Sequence, residues 1–493
     1  MGYKAKMYLD YQVLHDEVTG SCIYCTLHLP NRVIKFLVDC GLFQEKDYLE
    51  RNQAFPFEPK DFEYVFLTHI HADHCARIPM LYHRGYRGKV YTSYISKELL
   101  PITLTNSCKL LSAQAAKEHK SLLYTEEDLK TTIDNTVGHV YNEFIKVDNN
   151  ISIMFLGNGH LLGAACIYMR ISYPGEEDIN VLFTGDYSPC NTFFEVLDIP
   201  EEILSKPVTI VQETTYGYMH SREIKRTLEN NVKQAIKENK TIVFPAFAIG
   251  RYQEIEHLVQ TWMKSGLIPK RYKVYLDGSM PFEYNEKYTK FAPILKPNMR
   301  KFVPKDAKRV KSTTEVDEKK SKKKKLKKNK NELKVIARDS VMNSRKPKII
   351  IATSGMGTYG PSYEYITSLK YRSDVLIHFL GYLAEGTLGR ILQDEEAYKQ
   401  KHGLDFKEIE EHAEIKFTNE LSFHAKKDEL LDFLKKFRKI NCLLLNHGNF
   451  DSTKKYHEYV KKRITIKDIE TLNSSTVYRI GAYGFIKSFT KAA

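Results

Sequence analysis

The apolar run Tyr64-Val65-Phe66-Leu67 ends in Thr68-His69-Ile70-His71-Ala72-Asp73-His74. The run reads as a buried strand, and the stretch after it packs three imidazoles and a carboxylate into six residues. A strand therefore delivers strong ligands at its C-terminal end, where the sites of α/β folds gather. His69 and His71 alternate across an extended or turning backbone, and Asp73 and His74 follow at once. The four side chains fan out in two directions. That arrangement suits two adjacent metal ions, with His69 and His71 on one and Asp73 and His74 on the other. Imidazole combined with carboxylate favours zinc or a similar borderline ion over calcium or magnesium.

The 493-residue length exceeds one ordinary core, so two or three domains are expected. Up to about residue 207, short strands alternate with turns and a few helices, which suggests a layered α/β domain. Val33 to Val38 is a strand that runs into the turn Asp39-Cys40-Gly41, and 96–118 has helical periodicity. From Val208 the pattern becomes βαβ: strands at 208–211, 241–244, 272–276, 348–352 and 375–379 alternate with helices. This predicts a parallel-sheet domain over 208–418, inserted into a first domain made of 1–207 and 419–493. The lysine-rich stretch at about 305–340 lacks apolar periodicity and is expected to be disordered. It would serve either to track a phosphate backbone or as a solvated insertion. Residues 305–334 supply nine of the chain's net +14 charges, so polyanion attraction is concentrated there.

No apolar run reaches transmembrane length and no signal-like segment opens the chain, so a cytoplasmic protein without a membrane partner is expected. The eight cysteines fit reduced thiols. Cys22-x-x-Cys25 lies in a strand-like stretch and reads as packing, because no second pair accompanies it.

Four further positions fit the opening cluster. His160 sits in Gly157-Asn158-Gly159-His160. Asp186 follows the strand-like Val181 to Thr184, where a carboxylate can bridge two cations. His424 and His447 lie in Ser422-Phe423-His424 and Asn446-His447-Gly448. Each alone is a weak signal. Their strength is their order and their recurrence at strand ends beside glycines.

Together, His69-x-His71-x-Asp73-His74, His160, Asp186 and His447 resemble the ligand series of the metallo-β-lactamase fold, and specifically the β-CASP nucleases. The long interval between Asp186 and His447 carries β-CASP-like pieces: Glu213-Thr214-Thr215-Tyr216-Gly217, Phe244-Pro245-Ala246-Phe247, Thr353-Ser354-Gly355-Met356 and Gly381-Tyr382-Leu383-Ala384-Glu385-Gly386. The resemblance implies an αββα sandwich with an inserted β-CASP parallel-sheet α/β domain. It implies two Zn2+ per chain, one on His69, His71 and His160 and one on Asp73, His74 and His447, with Asp186 bridging. Asp39 matches an aspartate that orients the ligands, while Glu213, His424 and His447 match the family's motifs A, B and C. Departures are Asp277-Gly278-Ser279-Met280 for Asp-Ser-Pro-Met, Asn449 where an acid follows His-Gly, and Gly357 and Tyr359 after Ser-Gly-Met. None of these is a ligand position.

The implied activity is zinc-dependent hydrolysis of RNA phosphodiester bonds by a hydroxide activated between two metals. His424 would protonate the leaving oxygen or hydrogen-bond the scissile phosphate, and Glu213 would hold it in the useful tautomer. Arg251 and Ser354 are candidate contacts to the nucleic-acid backbone. Histidine at motif C accompanies the RNA-cleaving members, so single-stranded RNA is the expected partner. A DNA or mixed-specificity nuclease and an inactive RNA-processing scaffold are the alternatives, and a homodimer is allowed. The family includes both ribonuclease J and the endonuclease subunit of the pre-mRNA cleavage and polyadenylation machinery, so endonuclease and 5′-3′ exonuclease action are not separated. With 46 residues after His447, a compact core without ribonuclease J's added C-terminal domain is expected.

Overall fold

The strand Ile151–Gly157 buries both faces, and its two sets of side chains go to different places. In the computed structural model, which describes residues 7–16, 18–44, 46–221, 227–302, 307–311, 335–402, 413–421 and 423–490, Ile151, Ile153 and Phe155 join a core with Leu9, Tyr11, Phe36 and Val38. Met154 and Leu156 turn the other way and pack with Leu430, Leu431, Tyr456 and Val460. Such a division with period two suits a sheet held between a second sheet and a layer of helices.

Packing separates two compact units, Met1–Glu223 with Phe423–Ala493, and Ile224–Ser422. In the first, an eight-stranded sheet runs in the order Gly484–Thr490, Thr476–Gly481, Tyr8–Val13, Ile23–His28, Val33–Val38, Tyr64–Phe66, Lys89–Ser93, Thr136–His139. The facing sheet has seven strands: Ile469–Thr471, Ile440–Asn446, Val208–Glu213, Ile179–Phe183, Ala165–Ile171, Ile151–Gly157, Ile145–Lys146. Alternate residues of both sheets fill the space between them. The outer face of the seven-stranded sheet is covered by the helices Lys427–Leu434 and Phe450–Lys461. This is the expected αββα sandwich. Cys25 belongs to the inter-sheet core and Cys22 is buried as well, both as free thiols.

The second unit is one parallel sheet of seven strands: Val335–Ala337, Ala307–Lys311, Lys273–Asp277, Lys348–Ala352, Thr241–Pro245, Val375–Phe379, Glu414–Phe417. Helix Arg251–Lys264 packs Tyr252, Ile255, Val259 and Trp262 against Ile242, Phe244, Ile349 and Ile351. Val243 and Ile350 face the opposite side, with Tyr365, Ile366 and Leu369 of helix Gly360–Leu369. Helices on both faces explain why these strands read as continuous apolar runs.

Two expectations change. The strand Val208–Glu213, assigned from sequence to the inserted sheet, pairs in parallel with Ile179–Phe183 and Ile440–Asn446 of the first unit. The units therefore divide after Glu223 and before Phe423 instead of at 207 and 419. Within the stretch at about 305–340, residues 307–311 and 335–337 are paired strands and Arg338–Met342 is a helix. Val310 and Val341 join the core of the second unit there, which lysine-rich flanks conceal in the sequence. Residues 312–334 lie outside the described residues. No helix among the described residues is long and apolar enough to cross a membrane.

Candidate metal centre

Most of the chemically prominent residues of the first unit sit at or just beyond the end of a strand, with Asp73 and His74 in the short helix Ala72–Cys75. Asp39 follows Val33–Val38, and Thr68 follows Tyr64–Phe66. Asp186 follows Ile179–Phe183, Glu213 ends its own strand, and His447 follows Ile440–Asn446. His160 lies between Ile151–Gly157 and Ala165–Ile171, and His424 just precedes Lys427–Leu434. Parallel neighbours bring these ends to one rim. The turn after Val38 passes so close beneath the histidine cluster that a Cβ on Gly41 would lie 1.6 Å from the Asp73 carbonyl oxygen, so only glycine fits.

The imidazole orientations are set from behind. Asp39, with a φ of 61°, accepts from the Thr68 amide and hydroxyl and from His74 Nδ1, each at 2.8 Å. Because the Thr68 hydroxyl donates to Asp39, it accepts from His69 Nδ1 at 3.0 Å. His160 Nδ1 donates to the Phe423 carbonyl at 2.7 Å. Each of these three rings is thereby fixed in the tautomer that leaves Nε2 with a lone pair aimed inward.

The inward atoms form two groups around one carboxylate. Asp186 Oδ2 lies 3.5 Å from both His69 Nε2 and His160 Nε2. His71 Nδ1 is 3.1 Å from each of those nitrogens. Asp186 Oδ1 lies 3.1 Å from His447 Nε2 and 3.4 Å from His74 Nε2, and Asp73 completes that second group. His71 and Asp73 are half-buried, whereas Asp186, His69, His74, His160 and His447 are buried.

The donor set fits cations. His74 Nε2, His447 Nε2 and Asp186 Oδ1 are buried without a hydrogen-bond partner among the described residues, an arrangement that is costly unless something else satisfies it. Burial, reinforced by neighbouring imidazoles, holds His69, His74 and His160 well below the usual histidine range. Burial likewise brings His447 down to about 3, and burial with Glu213 and Asp73 nearby pushes Asp186 well above the carboxylate range. The cluster thus offers neutral imidazoles as ligands, and its central carboxyl lacks a positive partner.

Beside this cluster, His424 Nδ1 donates to Glu213 Oε2 at 2.8 Å. The Tyr187 amide donates to Glu213 Oε1 at 2.6 Å. Burial would raise Glu213, but the adjacent His424 and these hydrogen bonds outweigh it and hold the carboxyl below its usual range. His424 Nε2 lies 3.9 Å from Asp186 Oδ2.

Residues 34–100 match the family described as Metallo-beta-lactamase superfamily, 252–392 the Beta-Casp domain, and 408–471 the Zn-dependent metallo-hydrolase RNA specificity domain. The chain belongs to the β-CASP branch of the metallo-β-lactamase superfamily. Among curated β-CASP relatives, it is similar to Transcription termination factor FttA of Methanocaldococcus jannaschii, at 30% identity over 76% of this chain and 56% of that one. It is similar to the same-named protein of Methanosarcina mazei, at 27% identity over 94% of this chain and 70% of that one. It also resembles the RNase J-like protein of M. jannaschii, at 26% identity over 84% and 87% of the two chains. The chain thus spans little more than half the length of the first of these relatives.

The structure places the other two β-CASP candidates in the second unit. Arg251 is buried, donates from Nη1 to the Leu380 carbonyl, and stands 5.4 Å over the Phe247 ring, so it braces the backbone after Val375–Phe379. Ser354 is half-buried, with its amide donating to Ser362 Oγ at 2.8 Å. Sequence reasoning missed the supporting residues of the metal centre: Thr68, the Tyr187 amide and Asn158. Asn158 Nδ2 donates to the carbonyls of Thr184 and Asp186 at 3.0 and 2.6 Å, and its Oδ1 accepts from the His160 amide at 3.2 Å. Asn158 ties two donor loops together. Its place directly before Gly159-His160 was the one signal that pointed to it.

Proposed function

We propose that this chain is a two-zinc ribonuclease that hydrolyses single-stranded RNA. One observation carries the reading: the two oxygens of Asp186 face two separate groups of nitrogen donors, with the His424–Glu213 pair alongside. His69, His71 and His160 would hold one zinc, Asp73, His74 and His447 the other, and Asp186 both. When bound, two such ions supply an activated water and neutralise charge that builds on a phosphodiester. The chain's own residues do the rest. Asp39 and Thr68 keep the histidine lone pairs aimed inward. Glu213 fixes the tautomer of His424, and His424 Nε2 passes a proton to the leaving oxygen or hydrogen-bonds the scissile phosphate. Ser354 contributes a hydroxyl to the RNA backbone, while Arg251 acts through the backbone it braces.

RNA is supported by the matched RNA specificity domain, by histidine at position 447, and by relatives named as an RNase J-like protein and transcription termination factors. An inactive scaffold is disfavoured because every donor position is filled. The setting is the cytoplasm. Cleavage of matched single-stranded RNA and DNA by the zinc-loaded protein tests the substrate. Preferential RNA cutting is expected, and equal or better DNA cutting would replace this reading with a DNA or mixed-specificity nuclease. End-labelled RNA bearing a 5′ phosphate or triphosphate separates endonuclease from 5′-3′ exonuclease products, and light scattering tests for a homodimer.

A further inference from the structure

Downstream of His447 the first unit exposes rings and cations together. Phe450 opens the helix Phe450–Lys461 three residues after His447 and is 69% exposed. Lys454 Nζ stands 5.7 Å from its ring centroid. The segment facing this helix starts at Tyr216, whose ring is 5.8 Å from that of His424 and 6.1 Å from that of Tyr218. Tyr218 is 41% exposed, with Lys455 Nζ 5.9 Å from its ring. Lys427 Nζ lies 5.2 Å from the Tyr459 ring, and the Arg463 guanidinium covers the same ring at 3.8 Å.

We propose that this strip is a track for single-stranded RNA, extending the nuclease reading on which it rests. Two features select that occupant. The helix keeps Ser452, Thr453, Tyr456 and Val460 for packing and turns Phe450, Lys454, Lys455 and Lys461 outward, continued by Lys462 and Arg463. Against these stand the acids Asp451 and Glu458, so the outer face is a net cationic surface that suits a phosphate backbone. Rings alternate with those cations. Every base offers a face that stacks on a ring, whereas an acidic peptide would need the cations and leave the rings unused. A single exposed phenylalanine is ordinary. An exposed phenylalanine and an exposed tyrosine, each under a lysine and each linked to a residue of the centre, form a path that leads away from it.

The full chain carrying His424→Ala, in which cleavage is expected to be at least about a hundredfold slower, is titrated with a fluorescein-labelled oligouridylate. Phe450→Ala and Tyr218→Ala are each expected to weaken binding by about tenfold, and Phe450→Trp to restore it. Lys454→Gln with Lys455→Gln should lower the slope of log affinity against log salt by about 0.7 for each phosphate no longer neutralised. In the otherwise intact protein, hydrolysis of bis(p-nitrophenyl) phosphate, too small to reach the strip, should be unchanged by all five substitutions. Unchanged oligouridylate affinity in both alanine variants overturns the track and leaves the nuclease reading standing. Equal loss on the small ester also overturns it, because the substitutions would then act through the centre. An intact protein that hydrolyses neither RNA nor the ester overturns the nuclease reading, and the track with it.

Discussion

Each of the two units buries a carboxylate among charged neighbours, and they resolve it in opposite ways. In the second unit Asp277 is 1% exposed, and Arg338 grips it through Nε at 2.8 Å and Nη2 at 3.0 Å. Tyr365 adds its hydroxyl at 2.9 Å, and Arg338 reaches on to Glu364 at 2.7 Å. That cluster is closed, since every charge has an opposite charge from the same chain. In the first unit Asp186 is 2% exposed, yet its neighbours are neutral imidazoles and its Oδ1 lacks a hydrogen bond among the described residues. Burial alone therefore does not mark a functional site. A buried charge left incomplete by its own chain does.

The contrast can be broken experimentally. His71→Ala should have the largest effect, lowering bound zinc from about two per chain and RNA cleavage by about a thousandfold or more. Elemental analysis and single-turnover cleavage read the two losses, and full zinc content in the variant would contradict the grouping. His424→Ala should cut cleavage by about a hundredfold to ten-thousandfold yet keep both ions, because Glu213 holds its Nδ1 and other residues supply the donors. Loss of metal there would move His424 among the ligands.

The closed cluster should respond in stability instead. Arg338→Ala strands Asp277 and should cost about 3–5 kcal/mol, measured as a shift in the urea midpoint, with zinc content per folded molecule unaltered. The most gradual effect, smallest over any one pH unit, belongs to Glu256, intermediate between the two regimes. Its Oε2 accepts from Asn285 at 3.0 Å, its Oε1 has no hydrogen-bond partner among the described residues, and burial raises the carboxyl to about 8. A carboxyl raised on folding holds its proton longer in the folded state than in the unfolded one. Its stabilising contribution is therefore complete below the unfolded value of 4.5 and is lost as pH rises to about 8, by up to ~1.4 kcal/mol per pH unit. Glu256→Gln should flatten that part of the stability profile, and an unchanged slope would show that the proton is not held there.

The centre was legible in the sequence because its chemistry needs residue types that packing rarely places together, and because strand ends and glycines position them. His69 through His74 announced the strand that carries them. The supporting hydrogen bonds were not legible, since Thr68, Asn158 and a tyrosine amide look like any loop. Val208–Glu213 was assigned to the wrong sheet for a physical reason: a strand buried on both faces reads the same in either unit, and only its pairing tells them apart. Residues 307–311 were hidden because one buried Val310 among lysines leaves no apolar pattern to detect. Arg251 read as a candidate contact to the nucleic-acid backbone, and its burial was not legible because a sequence records charge without recording exposure.

The strand Ile440–Asn446 lies between Val208–Glu213 and Ile469–Thr471, and His447 follows it. A nascent chain halfway through synthesis already carries six of the seven proposed zinc donors, but it has neither His447 nor the strand that positions it. Phe423, whose carbonyl orients His160, arrives late as well. Under the proposed zinc grouping, the second set of donors is therefore completed only once the segment that carries Phe423 and His447 has been made and has paired with the strands already in place.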